Sequence, residues 1–281
     1  MDAKDFQKQI IDYMHSENKS YIQLPEHDKL LMYLNNLILI TGRTDIMYCN
    51  LFLDEAIQLF INSIFLYKDG FFDCAFYSVR QASEVVDSML YLSQNGHKSL
   101  KEWSGKEYFP MDGKMKNQLE KPSNDYKEVK PLIPDYFQHH VELIKKSHKI
   151  IHKQGFDTFY KLRNMAPERY GFLQKNETKF FLKSLKYTIG IVLILFIILE
   201  PLSLVLSDEE VTLKMPFNPM TEPIDVDYFK DYLGLDDIIE KLNVLNSIKN
   251  SFLILLTKSL CCQLYILLCK KKHRMLMHWM K

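Results

Sequence analysis

Twelve consecutive residues, Thr188–Leu199, carry no charge, and the apolar stretch grows to twenty, Tyr187–Leu206, once Glu200 and Pro201 are admitted. Such a segment is buried either in a protein core or in a membrane. A bilayer needs about twenty apolar residues, whereas a run of roughly 10–14 suits a buried helix. Glu200 would fall well inside a span, where a carboxylate costs about 2.5–3.5 kcal/mol on insertion scales. The pattern therefore predicts a core helix ending at Leu199 or Glu200, followed by an extended segment from Pro201 to Leu206. The membrane alternative, a span at 187–206, keeps one support. Lys183 and Lys186 precede the run, and Lys270–Arg274 follow a second apolar stretch, Ser251–Leu268. Those flanks suit a two-span hairpin with both ends cytoplasmic.

The rest of the chain favours helices. Only nine Gly and ten Pro occur in 281 residues, fewer backbone breakers than many short strands and turns would need. The formal charge of +1 offers no bulk attraction for nucleic acid or membrane surfaces. The charge is unevenly spread. Residues 241–281 contain no acid and carry +8, which leaves −7 on residues 1–240. This tail reads either as an apolar span stopped by a basic cluster or as frameshifted text, and the frameshift is favoured. The five Cys show no paired spacing in the body of the chain, and Met1–Phe6 lack the apolar core of a signal peptide. Both features predict a cytoplasmic, reducing setting.

Local periodicity organises the chain into four regions. Residues 1–50 form an N-terminal helical region with a helix at Asp5–His15, a break at Pro25 and an apolar segment at Leu30–Ile40 that ends at Thr41-Gly42. Residues 51–206 form a helical bundle, opening with Leu51–Tyr67, in which Leu53, Ala56, Ile57, Phe60, Ile61 and Ile64 recur at three and four. Asp69-Gly70 turns the chain into a second helix, Phe72–Gln94. Its apolar stripe runs from Phe72 through Ala75, Phe76, Val79, Ala82 and Val86 to Met89 and Leu90, with Arg80, Glu84, Asp87 and Tyr91 on the other face and Asn95-Gly96 as the stop. Residues 97–134 read as an insertion with short helices near Gly113–Glu120 and Asn124–Lys130. The next helix, Asp135–Lys153, is read with Phe137, Val141, Ile144, His148 and Ile151 inward, ending at Gln154-Gly155. A polar loop, Phe156–Gln174, leads to the apolar segment. Residues 207–245 form an irregular acidic appendage with a short helix at Asp225–Tyr232, and 246–281 is the basic apolar tail.

The chain contains no glycine-rich phosphate loop, His-Glu-x-x-His, nucleophile elbow, EF-hand loop or Cys-x-x-Cys, so no cofactor and no metal is predicted. The candidate functional residues lie on helices. Arg80 and Glu84, four apart, either pair for about 0.2–0.5 kcal/mol or present a planar fork to a phosphate or carboxylate. His148 and His152 share a face but lack a third ligand for a metal. His148 sits on the apolar stripe as a core histidine, while His152 ends its helix where an imidazole can move a proton. His139 and His140 receive no role.

The stretch Gly70–Leu92, with its Gly-aromatic start and Arg80-x-Ala82-x-Glu84 centre, resembles the second helix of HEPN (higher eukaryotes and prokaryotes nucleotide-binding) domains. Lys146–Gly155, with His152 before a Gly turn, is similar to the third HEPN helix, and Thr188–Leu199 would complete a four-helix up-and-down bundle. The resemblance implies an all-α fold and the metal-independent ribonuclease or binding roles of bacterial toxin–antitoxin and anti-phage systems. It also implies a homodimer and an RNA, nucleotide or protein partner. HEPN ribonucleases carry Arg, then four to six intervening residues, then His. Here five residues separate Lys146 from His152, and Lys lacks the bidentate fork. The sequence therefore predicts an interaction module working through the Arg80–Glu84 face. The alternatives are a weak ribonuclease using His152 and Lys146 across a homodimer, and a membrane-anchored protein.

Overall fold

The computed structural model describes residues 2–18, 24–40, 47–69, 71–105, 112–121, 125–159, 167–207 and 209–214, with short pieces at 223–224, 227, 230–231, 238–242 and 245. Every regular element among them is helical: α1 (Ala3–Asn18), α2 (His27–Ile40), α3 (Met47–Lys68), α4 (Phe72–Ser104), α5 (Asp112–Leu119), α6 (Asp125–Val129), α7 (Pro134–Ile151), α8 (Pro167–Leu199), α9 (Leu202–Val205), α10 (Glu209–Lys214) and α11 (Ile238–Leu242). The all-α expectation holds. The tail from 246 lies outside the described residues, and the helix expected at 225–232 is described only at 227, 230 and 231.

The hairpin of α3 and α4 is the most extensive contact of the fold. It forms where the alternating threes and fours place it, with every residue of the expected α4 stripe buried. α8 packs on α4 and α7, and α7 packs on α4. Tyr136 meets Tyr187 and Lys146 meets Phe180, so α7 and α8 run antiparallel. Lys153, just beyond α7, pairs with Asp73 at the start of α4, so α4 and α7 are antiparallel too. Ile189 and Ile191–Ile198 of α8 are all buried. Two described helices are long and apolar enough to cross a membrane, Thr178–Leu199 and Cys49–Lys68. Most of the first is buried inside the bundle, and rather less than half of the second.

Four local expectations are corrected by the structure. Asn95-Gly96 does not stop α4, which continues to Ser104. The Asn95 amide donates to Tyr91 O at 2.7 Å, and Trp103, further along, packs on Phe52 with ring centroids 5.1 Å apart. That contact offsets the roughly 1 kcal/mol penalty of a mid-helix glycine. The Pro201–Leu206 segment is not extended. Pro201 adopts helical angles ahead of α9, Ser203 Oγ donates to Glu200 O at 2.7 Å, and Leu204, Val205 and Leu206 are buried. The loop expected at 156–174 is shorter, because α8 already begins at Pro167, a residue suited to a first helical turn.

The fourth correction concerns α7. Its buried stripe is Tyr136, His139, His140, Leu143, Ser147 and Ile150, not Phe137, Val141, Ile144, His148 and Ile151. The helix is rotated by one residue, about 100°, and Val141 and Ile151 are exposed. Both stripes repeat at three and four. The choice between them is made by α8, whose Phe180 and Tyr187 rings receive His139 at 5.2 and 4.9 Å. The end of α7 falls where expected: Lys153 (φ 51°) and Gly155 (φ 101°) adopt left-handed backbone, and the chain leaves the helix there.

An aromatic cluster joins the three central helices. Tyr67 stacks on Phe181 with centroids 4.0 Å apart and meets Phe72 and Phe76 edge-on. Phe181→Ala is expected to lower unfolding stability by about 3–5 kcal/mol, the typical cost of emptying a fully buried phenylalanine site. Urea unfolding followed by circular dichroism measures this, and a loss under about 1 kcal/mol would show that the cluster does not organise the bundle.

Candidate functional site

Asp73, Arg80, Glu84 and Asp87 recur at seven, four and three along α4 and therefore share one edge of it. Each carries a partner. Lys153 pairs with Asp73 from the end of α7. Arg80 Nε donates to Glu84 Oε1 at 2.7 Å, with about a fifth of each side chain exposed. Lys116 of α5 reaches Asp87 at 3.2 Å, and only 3% of that carboxylate side chain is exposed. Asp87, expected on the solvent face, is buried because the insertion folds back over α4. Gln118 of α5 also bonds to Asn95.

The Arg80–Glu84 pair forms within one helix, as the i, i+4 spacing predicts. Its geometry is selective. Glu84 holds the Nε side of the guanidinium, and among the described residues no hydrogen bond engages the two terminal nitrogens. A half-buried fork fixed on one side is oriented for a planar anion on the other. Lys146 comes near the same stretch. Its Nζ lies 4.1 Å from the Phe180 ring centroid and 5.3 Å from that of Phe76, and Phe76 is one turn before Arg80 on α4. Aromatic faces hold an ammonium there by about 0.5–2 kcal/mol.

The other candidates separate. Six residues along a helix is a rotation of about 240°, so His152 points well away from Lys146. It meets His148 instead, ring centroids 4.2 Å apart and planes tilted by 55°. Both imidazoles are exposed, and His148 is not the core histidine the apolar stripe suggested. Among the described residues no three His, Cys, Asp or Glu side chains come together to hold a metal.

The histidines given no role are the ones the fold buries. His139 Nε2 lies 3.2 Å from Ser184 Oγ and its Nδ1 lies 3.7 Å from Glu142 Oε2, the residue order of a serine-nucleophile triad. The proton placement is wrong for that chemistry. Ser184 Oγ already donates to Phe180 O at 2.7 Å, so Nε2 must carry the imidazole proton and donate to the hydroxyl. A general base needs the reverse, and Ser184 is fully buried inside the bundle. His140 is buried beside Lys116 and Lys130, with no hydrogen-bond partner at Nδ1 among the described residues. The adjacent His139-His140 pair was visible in the sequence, but its burial depends on the one-residue rotation of α7.

Burial, and then the neighbouring Lys183, push His139 down to about 4. Burial, reinforced by Lys116, pushes His140 down to about 3. Both are neutral in the folded protein, while the unfolded chain takes up protons near 6.5. The stability they contribute is complete above pH 6.5 and is lost progressively as pH falls toward 4 and 3, by up to about 1.4 kcal/mol per pH unit per group. Urea midpoints measured from pH 7 to 4.5 should fall, and His140→Gln should flatten the slope. A pH-independent midpoint would contradict the burial of both rings.

Removing one partner of a buried pair leaves a stranded charge, at about 3–5 kcal/mol when both groups are fully buried. Lys116 keeps some solvent, so Lys116→Met is expected to cost about 2 kcal/mol, with a coupling of at least about 1 kcal/mol to Asp87→Asn in a double-mutant cycle. Additive losses would mean that the insertion is not latched at Asp87.

No protein-family model, curated protein or solved structure matches this chain.

Proposed function

We propose that the chain is a HEPN-like helical bundle acting as an interaction module, of the kind used in bacterial toxin–antitoxin and anti-phage systems, and that Arg80 is its anion-recognising residue. The observation that carries this reading is the fork of Arg80, held at Nε by Glu84 and without a hydrogen bond at its terminal nitrogens among the described residues. Lys146, brought to α4 one turn away over Phe76, adds a second positive charge. The packing of α3, α4, α7 and α8 supports the bundle half of the proposal. The divergence of Lys146 and His152 on α7 argues against their joint action within one chain. The partner is an RNA or nucleotide phosphate, or the carboxylate of a protein.

Fluorescence anisotropy with a short labelled single-stranded RNA tests the phosphate arm. Saturable binding is expected without cleavage. Arg80→Gln should weaken it about tenfold, the equivalent of about 1.4 kcal/mol and within reach of one charged hydrogen bond, while the thermal unfolding midpoint stays near that of the parent. RNA cleavage that disappears in His152→Ala would replace this reading with the ribonuclease alternative. Binding unaffected by Arg80→Gln would remove Arg80 from the interface.

A further inference from the structure

We propose that the end of the bundle formed by the α3–α4 turn and the C-terminus of α7 docks on an anionic lipid surface. This end adjoins the Arg80 edge at Asp73, but the proposal does not rest on the role given to Arg80. Five large apolar side chains are exposed around this end: Phe65, Tyr77, Ile151, Phe156 and Phe159. Phe65 lies four residues before the turn at Asp69 and Tyr77 four residues after Asp73, each about 6 Å along its helix. Lys153 joins the two halves through Asp73.

The phenylalanines after α7 are held outward. Phe156 is 82% exposed, yet its backbone is fixed in a 3-10 turn. Thr158 Oγ1 donates to Gly155 O at 2.6 Å, Thr158 itself is buried, and Lys153 Nζ reaches Thr158 O at 3.4 Å. The left-handed backbone at Lys153 and Gly155 sets the direction of the turn. A ring this exposed on an anchored turn is presented to a partner, because a mobile loop could fold it away from water.

Charge identifies the partner. From Leu143 to Phe156 no acid occurs, while Lys145, Lys146, Lys149 and Lys153 do. Lys145 and Lys149 are exposed on the outer face of α7 beside His148 and His152, and Lys68 stands near the Phe65 ring. Among the side chains described at this end the acids are Asp69 and Asp73, which Lys153 engages. Lysines around a protruding apolar tip match the headgroup layer and upper acyl region of an anionic leaflet. Single-stranded RNA fits less well. Ile151 and Phe65 have no base to read, and neither 65–77 nor 145–159 contains an arginine, the residue whose fork suits phosphodiesters.

Co-sedimentation of the full chain with phosphatidylcholine vesicles, with and without phosphatidylserine, tests the proposal. Binding is expected to the phosphatidylserine vesicles and to weaken as salt rises. Phe156→Ser with Phe159→Ser, and separately Lys145→Glu with Lys149→Glu, should each weaken it about tenfold or more. All four positions are exposed, so both variants should keep the parent's unfolding midpoint and its RNA affinity. Absent vesicle binding, or vesicle binding that both variants retain, overturns the proposal. Variants that lose RNA affinity but not vesicle binding also overturn it and assign this end to nucleic acid.

Discussion

Tyr67, in the last turn of α3, lies nearly parallel to Phe181 of α8, at 4.0 Å between centroids and 10° between planes. Its hydroxyl stands 3.2 Å from Thr178 Oγ1 on the same helix. One side chain thus ties the hairpin to the most apolar helix of the protein through both its ring and its polar tip. Phe72 and Phe76 close the cluster from α4. Because Phe76 also receives the Lys146 ammonium, the position of α7 depends on the same rings. The placement of the aromatic cluster therefore sets where the charged edge of α4 meets α7.

Along that edge, ion pairs do different work according to burial. Asp73–Lys153 is partly exposed and serves mainly to bring the end of α7 to the start of α4, since exposed pairs contribute about 0–1 kcal/mol. Asp87–Lys116 is largely buried and holds the insertion against the bundle. Such a pair matters more for which arrangement is adopted than for net stability. Arg80–Glu84 lies between these extremes. It is sheltered enough to fix the guanidinium and open enough to leave part of it reachable.

Much of the α3–α4 hairpin was legible in the sequence. All eight residues of the expected α4 stripe are buried, because a long amphipathic helix has one apolar face and no competing one. α7 was less legible: Tyr136, Leu143 and Ile150 compete with Phe137, Ile144 and Ile151 one position away. The candidate site inherits that ambiguity. His148 was assigned to the core and His139 and His140 to nothing, and all three assignments reverse with the rotation. Asp87 looked like a solvent-face acid, since nothing local reveals that residues 112–119 return to cover it.

Local pattern alone accounts for the helical class, the α3–α4 hairpin with its inward face, the stop after α7 at Gln154-Gly155, and the i, i+4 pairing of Arg80 with Glu84. These depend on neighbours within a few positions along the chain. The rotation of α7, the continuation of α4 through Gly96, the helical turn after Pro201 and the burial of Asp87, His139 and His140 follow from packing between helices. Each of those turns on a contact with residues distant in sequence: Phe180, Tyr187 and Ser184 for α7, Phe52 for the end of α4, Ile224, whose N–H donates to Ser203 O, for the turn after Pro201, and Lys116 for Asp87. Periodicity defines the faces a helix offers, and the shape and charge of its packing partners select which face turns inward.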